Sequence, residues 1–282
     1  MSVSPGNLFR QKVTQHHPVQ IMGAVNAHCA RLAESAGAAA TCLSGSRVAT
    51  ASHGMPDLGM TTLPDVAHDA SAIASATPNL PLLVDLDTGF GGTPLTLGRT
   101  IREIARAGVA AVHIEDQHAH KKRCGHRPGT RLVSTATMVR RLEAAVQART
   151  QVKSDLVLMA RTDAMAAEGL ERAIDRAHAY VEAGAEMVFL EACTTLQDYR
   201  AVHEALPDIP LLANATEFGK TPLWHINEYA DAGVSMVLYP LSAHQRNVLP
   251  LMQTREELYQ LLDYHKYEQM LDEEDDDENG VN

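Results

Sequence analysis

The segment ARAGVAAVHIED, residues 105–116, decides the fold because it joins the end of a helix directly to a short apolar run. The helical pattern stops at Ala107-Gly108, where glycine relieves the left-handed conformation that ends many helices. The run that follows is apolar and includes β-branched residues, which predicts a strand. A helix that leads straight into a strand is one half of a repeating α/β unit.

The same helix-to-strand unit occurs three more times along the chain, at residues 34–45, 181–192 and 229–241. Four further apolar runs are also strand candidates, at residues 19–25, 80–87, 155–163 and 209–216. Eight strands that alternate with helices over about 250 residues are typical of a (β/α)8 TIM-type barrel. No linker divides the chain, so the pattern predicts a single α/β barrel domain over residues 1–271.

Composition and length restrict the classes of protein that fit. With 282 residues, 45% of them hydrophobic, the chain can bury a large core. It has no apolar run of about 18 residues and no basic-then-apolar leader, so we expect neither a membrane span nor a secretory signal. Its four cysteines form no C-x-x-C pair, which argues against a disulfide framework or a structural zinc site. These features predict a cytoplasmic protein.

The net charge of −11 is concentrated near the C-terminus. Residues 272–282 contain the block DEEDDDE, in which like charges repel one another and stay solvated. We therefore predict an acidic, disordered tail over that range. No helix carries a basic stripe, so a nucleic-acid partner has little support.

Polar residues follow five of the predicted strands at the point where apolar barrel filling stops. Barrel enzymes build their active sites at this end of the strands, so we expect one polar bowl. The alternative is that polar residues only mark where each strand leaves the core. The residues concerned are Asp85, Asp87, Glu115, Asp116, Arg161, Asp163, Glu191, Asn214 and Thr216.

A bound cation would explain the acidic side of this bowl, because neighbouring buried carboxylates repel one another unless something neutralises them. Asp85, Asp87 and Glu115 supply hard oxygen ligands without clustered His or Cys, which favours Mg²⁺ or Mn²⁺ over zinc. No lysine lies inside a predicted strand, which argues against a Schiff-base aldolase. His113 is expected to be a core residue, as are Cys29, Cys42 and Cys193.

The loop after the fourth strand carries one cysteine, Cys124, among several cations. Neighbouring Lys, Arg and His side chains stabilise a thiolate and lower the thiol pKa, which suits an acid that works near neutral pH. The same cations would attract a polycarboxylate substrate. The alternative is a solvated basic loop with an incidental cysteine. The cations are Lys121, Lys122, Arg123, His126 and Arg127.

Taken together, these motifs resemble the isocitrate lyase and phosphoenolpyruvate mutase superfamily. The Arg directly before CGHRP and the MQTR segment are most similar to the branch that cleaves 2-methylisocitrate. The resemblance extends from about residue 6 to residue 272. The matching stretches are LSG (43–45), MPDLG (55–59), PLLVDLDTGFG (81–91), HIEDQ (113–117), KRCGHRP (122–128), MARTDA (159–164), FLEA (189–192), LANATEFG (212–219), LYPLSA (238–243) and MQTREELY (252–259).

This resemblance implies a Mg²⁺-dependent cleavage of 2-methylisocitrate to pyruvate and succinate, in propionate catabolism through the methylcitrate cycle. It assigns Asp85 and Asp87 to the metal, and Cys124, Glu115 and His126 to catalysis, with Cys124 as the acid and Glu115 supporting the metal through water. It also implies a homotetramer. The residues that it assigns to substrate binding are Ser44, Gly45, Ser46, Asp57, Cys124, Gly125, Arg161, Glu191, Asn214, Thr216 and Arg255.

Three departures from the superfamily pattern qualify this transfer. Residues 42–47 read CLSGSR, so a tyrosine usual in the branch is absent, Arg47 replaces a glycine, and the base for the substrate hydroxyl is unassigned. After Ala243 the chain runs almost directly into MQTR, so the eighth helix is expected to be shortened or missing. Isocitrate lyase activity, oxaloacetate hydrolase activity and a catalytically impaired ligand-binding barrel stay open as alternatives.

Overall fold

The computed structural model describes residues 3–125, 127, 129–216, 219–241 and 268–270, and in this part of the chain eight parallel strands form a closed barrel. Each strand pairs with its sequence neighbours, and the last pairs with the first, with Ile21 beside Leu238. The predicted TIM-type barrel is confirmed. The strands are β1 (Val19–Gly23), β2 (Ala40–Leu43), β3 (Leu82–Asp85), β4 (Ala111–Glu115), β5 (Val157–Thr162), β6 (Met187–Leu190), β7 (Leu211–Asn214) and β8 (Met236–Tyr239).

Helices alternate with these strands, and the predicted glycine at each repeated helix-to-strand junction has a positive φ: 84° at Gly37, 81° at Gly108, 101° at Gly184 and 79° at Gly233. A left-handed residue at these positions ends the helix and turns the chain into the strand. The helices are α1 (Pro5–Gln15), α2 (Ala27–Ser35), α3 (Gly45–Arg47), α4 (Leu63–Ala76), α5 (Pro94–Arg106), α6 (Thr135–Gln151), α7 (Ala164–Glu168), α8 (Leu170–Glu182), α9 (Leu196–Ala205) and α10 (Ile226–Asp231).

The barrel interior is a packed core that α1 closes from the end opposite the expected site. Phe9 and Val13 of α1 are buried against interior residues such as Val157 and Met187. The helix lies so close to the barrel that a Cβ on Gly6 would be 1.9 Å from the carbonyl oxygen of Asp155. The site is therefore expected at the other end of the barrel, where the strands have their carboxyl ends.

Two apolar layers between the strands and the outer helices hold the barrel from outside. One layer packs α4, α5 and α6 against β3, β4 and β5, with Ile101 and Leu142 fully buried. The other contains the edge-to-face aromatic group of Tyr199, Trp224 and Tyr229, whose ring centroids lie 5.5–6.2 Å apart. These layers fix the strand ends on which the site depends.

Several predictions fall on residues outside the described part of the chain. They concern His126, Arg255, the eighth helix and the acidic tail, and they stay predictions. Among the residues that the structure does describe, no helix is both long enough and apolar enough to cross a membrane.

Candidate active site

A cavity opens at the carboxyl ends of the strands, and most of the residues predicted for the site line it. The segment directly after β2 contributes Ser44 and Ser46, and the loop after β4 contributes Cys124 and Gly125. The predicted bowl is therefore one connected site. The other predicted residues that line it are Asp57, Asp85, Arg161, Glu191, Asn214 and Thr216.

The acidic side of the site consists of Asp85, which lines the cavity, and Asp87 beside it. The Asp85 carboxylate accepts hydrogen bonds from the backbone N–H of Asp87 at 3.0 Å and of Gly45 at 3.1 Å. A Cβ on Gly45 would be 2.9 Å from Asp87 Oδ1, so a side chain at this position would displace the Asp87 carboxylate. Asp87 has a φ of 48°, an uncommon value for a residue with a side chain. Burial, together with the repulsion from Asp85, raises the pKa of Asp87 to about 6 against the attraction of Lys122.

Lys122 is one of the cations in the loop that carries Cys124. Its ammonium group is buried in the site, where it hydrogen-bonds Asp57 and lies 2.9 Å from Asp87 Oδ1. Burial alone would lower the pKa of Lys122, but the attraction of Asp57 and Asp87 outweighs it and raises the pKa well above the ordinary value. Lys122 therefore joins the loop after β2 to the loop after β4. Its effect on Cys124 stays a prediction.

Arg161 is another buried cation that lines the cavity. Its guanidinium donates to both oxygens of Asp163 at 2.9–3.0 Å and lies 3.4 Å from Glu115 and 3.3 Å from Glu191. It also lies 5.1 Å above the ring of Phe189. Burial would lower the pKa of Arg161, but its carboxylate neighbours raise it well above the ordinary value.

Glu115 lies beneath Arg161 and is fully buried, so it does not line the cavity surface directly. Neither of its carboxylate oxygens has a hydrogen-bond partner among the described residues. Burial raises the pKa of Glu115 well above the ordinary value, although Arg161 opposes the shift. A buried carboxyl group with two unsatisfied oxygens needs a further proton, water or cation.

Asp116, which the sequence analysis placed in the bowl, points away from it. Its carboxylate accepts from Tyr180 at 2.8 Å, from Thr162 at 2.7 Å and from the backbone N–H of Asp163 at 3.0 Å. Adjacent strand residues face opposite sides, so Glu115 and Asp116 could not both face the cavity. Asp116 holds the ends of β4 and β5 together from outside the barrel.

Cys124 lines the cavity, and the chain after it is tightly packed against the site. A Cβ on Gly125 would be only 2.5–2.6 Å from Asp163, Glu191 and Arg161. Further along the loop, Arg127 forms a two-pronged ion pair with Glu268, with one donor to acceptor distance of 2.8 Å. Lys122 and Arg127 therefore both have carboxylate partners, while the lowered Cys124 pKa stays a prediction.

Glu191, Asn214 and Thr216 form a hydrogen-bonded row along the cavity wall. The amide of Asn214 donates to Glu191 at 3.1 Å, and the Thr216 hydroxyl donates to the Asn214 carbonyl oxygen at 2.9 Å. Each group orients the next, so the row presents a fixed pattern of donors and acceptors.

Several cavity residues were not predicted as site residues: Lys122, His113, Arg47 and Cys42. His113 is buried as expected of a core residue, but it lies on the cavity floor with Nδ1 3.4 Å from Asp85. Burial, with Arg161 nearby, lowers the pKa of His113 to about 3, so the imidazole is neutral. Strand alternation could have predicted this place on the cavity floor, because position 113 is two residues before Glu115 and faces the same side of the strand. Cys42 and Cys193 are buried as expected, and Cys29 is half-buried.

The donor set of the acidic side fits Mg²⁺. Within the described ranges, no group of three or more His, Cys, Asp or Glu side chains is arranged to hold a metal ion. Mg²⁺ needs fewer protein ligands than that, because it usually binds through one or two carboxylates and keeps several waters. Asp85 and Asp87 supply two adjacent carboxylates, and Glu115 has unsatisfied oxygens nearby in the same network.

Comparisons with known sequences agree on one family. The model of the family described as phosphoenolpyruvate phosphomutase matches residues 9–259. The 2-methylisocitrate lyase of Vibrio cholerae is 50% identical over 297 residues, which cover 97% of this chain and 95% of that protein. The 2-methylisocitrate lyase of Bacillus subtilis is 43% identical, with 92% of this chain and 90% of that protein covered.

The aligned region with the Vibrio protein, 297 residues, is longer than the whole 282-residue chain. The relative therefore contains residues that have no counterpart here. This difference has the direction expected from a shortened segment after Ala243, and its position stays a prediction.

Solved structures give the same result. A 2,3-dimethylmalate lyase, described as a PEP mutase/isocitrate lyase superfamily member, has a TM-score of 0.82 and 33% identity, with 96% of this chain and 95% of that chain covered. An oxaloacetate acetylhydrolase in complex with 3,3-difluorooxalacetate has a TM-score of 0.82 and 30% identity, with coverage of 94% and 95%.

Proposed function

Because this chain belongs to the phosphoenolpyruvate phosphomutase family, we propose that it is a carbon–carbon lyase that cleaves 2-methylisocitrate to pyruvate and succinate. The observation that carries the proposal is the single cavity that Cys124, Asp85 and Arg161 all line. Curated relatives named 2-methylisocitrate lyase, at 49–51% identity over nearly the whole chain, support the substrate.

The substrate is a tricarboxylate, and the cavity provides groups that bind carboxylates and hydroxyls. Arg161 offers a guanidinium, which suits planar carboxylates. Arg255 and His126 belong to the proposal by resemblance alone. The other residues proposed to bind substrate are Ser44, Gly45, Ser46, Asp57, Cys124, Gly125, Glu191, Asn214 and Thr216.

In the proposed enzyme Asp85 and Asp87 hold Mg²⁺, with Glu115 acting through water. When bound, the ion supplies Lewis-acid stabilisation of negative charge on the oxygen of the pyruvate fragment. The residues of the chain orient the substrate and keep its reacting bond away from bulk water.

Cys124 is the proposed acid. As the carbon–carbon bond breaks, the hydroxyl-bearing carbon becomes the carbonyl of pyruvate, and the hydroxyl proton passes to a base to which no residue is assigned. The electron pair of the bond stays on the carbon that becomes part of succinate, and the Cys124 thiol protonates that carbon. The tight packing of Gly125 against Arg161 and Glu191 supports a fixed position for the thiol.

The test is release of pyruvate by the purified protein with Mg²⁺ and 2-methylisocitrate, with isocitrate and glyoxylate release assayed in parallel. We expect pyruvate from the methylated substrate and its loss in Cys124→Ser. Cys29→Ser is the matched control, because Cys29 is half-buried and does not line the cavity. Absence of both products from the unmodified protein would reject the lyase proposal.

The setting of this reaction is part of the proposal. We infer a homotetramer in the cytoplasm that acts in propionate catabolism through the methylcitrate cycle. Resemblance to the 2-methylisocitrate lyases supports this setting. Light scattering of the purified protein tests the tetramer, and a molar mass of one subunit would contradict it.

A further inference from the structure

Gln117 lies at the base of the loop that carries Cys124, and its side chain is fully buried. Its carboxamide makes two hydrogen bonds with the backbone of a single residue, Arg123. Nε2 donates to the Arg123 carbonyl oxygen at 2.9 Å, and Oε1 accepts from the Arg123 N–H at 2.9 Å. Two residues of antiparallel strands exchange the same pair of bonds. The carboxamide thus holds both polar backbone groups of the residue directly before Cys124.

The backbone of Gln117 is itself held in place. It pairs with Leu132 in an isolated antiparallel bridge, and its carbonyl oxygen accepts from Arg141 Nη1 at 3.1 Å. The same guanidinium donates to the carbonyl oxygen of Gly92 at 2.7 Å, and Arg141 is buried. The carboxamide therefore extends from a rigid base, and it transmits the position of that base to Arg123.

The residues on both sides of Arg123 are seated in the active site. Lys122 contacts Asp57 and Asp87, and Gly125 has no room for a Cβ against Arg161. Cys124 lies between these two contacts. A displacement of the Arg123 peptide by about 1 Å would move the thiol by a similar distance, and misplacement on that scale can cost about 100-fold in rate.

We propose that Gln117 is a positioning residue for Cys124: its carboxamide fixes the Arg123 peptide and thereby sets where the thiol meets the substrate. This inference rests on the proposed role of Cys124 as the acid. It assigns Gln117 no contact with the substrate, so its loss should lower kcat more than it changes KM.

Two substitutions of Gln117 test the proposal. Gln117→Leu keeps approximate volume and removes both hydrogen bonds, and we expect kcat to fall about 100-fold with KM changed less than about threefold. Gln117→Glu replaces the amide with a carboxyl group that, when protonated, can donate to the Arg123 carbonyl and accept from its N–H. Burial raises the pKa of a carboxyl group, so rescue is expected at low pH and lost as pH rises.

The discriminating readout is the ratio of Gln117→Glu kcat to unmodified kcat across the pH range. We expect the ratio to be within about threefold of one near pH 6 and to approach the Gln117→Leu value near pH 8.5. A destabilised fold alone would not restore activity on protonation of one group. A flat ratio, or a Gln117→Leu kcat within about twofold of the unmodified value, would overturn the proposal.

A measurement independent of turnover separates this inference from the proposed reaction. Hydrogen exchange at the Arg123 amide should be faster in Gln117→Leu, and alkylation of Cys124 by iodoacetamide, followed on its own peptide by mass spectrometry, should change in rate. Gln147→Leu is the matched control, because Gln147 is exposed on α6 and should change neither. If the unmodified protein releases no pyruvate, the proposed lyase reaction is rejected. The exchange and alkylation rates still test whether Gln117 positions Cys124. Unchanged exchange and alkylation would reject it.

Discussion

Replacement of Lys122 by methionine should be among the most destabilising single changes in this protein. The ammonium group is buried between Asp57 and Asp87, and all three side chains have less than a tenth of their surface exposed. Methionine retains most of the volume but leaves two carboxylates without their cation. Removal of one partner from a buried ion pair typically costs about 3–5 kcal/mol, so we expect a loss of about that size in the free energy of unfolding.

Urea denaturation in the presence of EDTA measures this loss without a metal ion to compensate for the missing charge. The double variant Lys122→Met with Asp57→Asn should recover part of it, because one uncompensated carboxylate is gone. Arg106→Ala is the matched control. Its side chain is 69% exposed in an ion pair with Glu103, so its loss should change stability by less than about 0.5 kcal/mol. A Lys122→Met deficit below about 1 kcal/mol would refute the argument that the buried ammonium neutralises the acidic side.

Two further predictions concern the site. His113 has its pKa lowered to about 3 by burial, so its imidazole should stay neutral from neutral pH down to about pH 4 in nitrogen-15 NMR spectra. Because the folded state resists a proton that the unfolded chain accepts near pH 6.5, His113 should cost stability as pH falls from about 6.5 toward 3, by up to about 1.4 kcal/mol per pH unit. His113→Gln should flatten that part of the stability profile, and an unchanged slope would contradict the assignment. Gly125→Ala should lower kcat by about 100-fold with little change in melting temperature, because the added Cβ would displace the loop from Arg161 and Glu191; activity within about twofold of the unmodified enzyme would show that the loop accommodates it.

The barrel and most of its bowl could be predicted because their signals are local. Ala-Gly before an apolar run marks each repeated junction, and the strand it predicts is present in all four cases. Strand ends then place Asp85, Arg161, Glu191 and Asn214 at one face, since parallel strands in a closed barrel end together.

What sequence reasoning missed depends on contacts between distant residues. Lys122 lies two residues before Cys124 in the chain, yet its side chain bonds Asp57, 65 residues away. Local charge counting cannot show which carboxylate a long side chain reaches. The prediction that Asp116 lies in the bowl was wrong for a simpler reason. Adjacent strand residues face opposite sides, so Asp116 could not share the face of Glu115.

Arg161 shares its guanidinium among Asp163, Glu115 and Glu191 before any substrate arrives. If Arg161 binds substrate as proposed, an incoming carboxylate would replace these protein carboxylates, and they would bind the guanidinium again when the product leaves. Arg161 would then be paired with a carboxylate before and after each step. A bound anion would gain less free energy than from an arginine without protein partners, so it would bind more weakly and dissociate faster. In this bowl the surplus of acidic groups favours repeated turnover over tight retention of an anionic product.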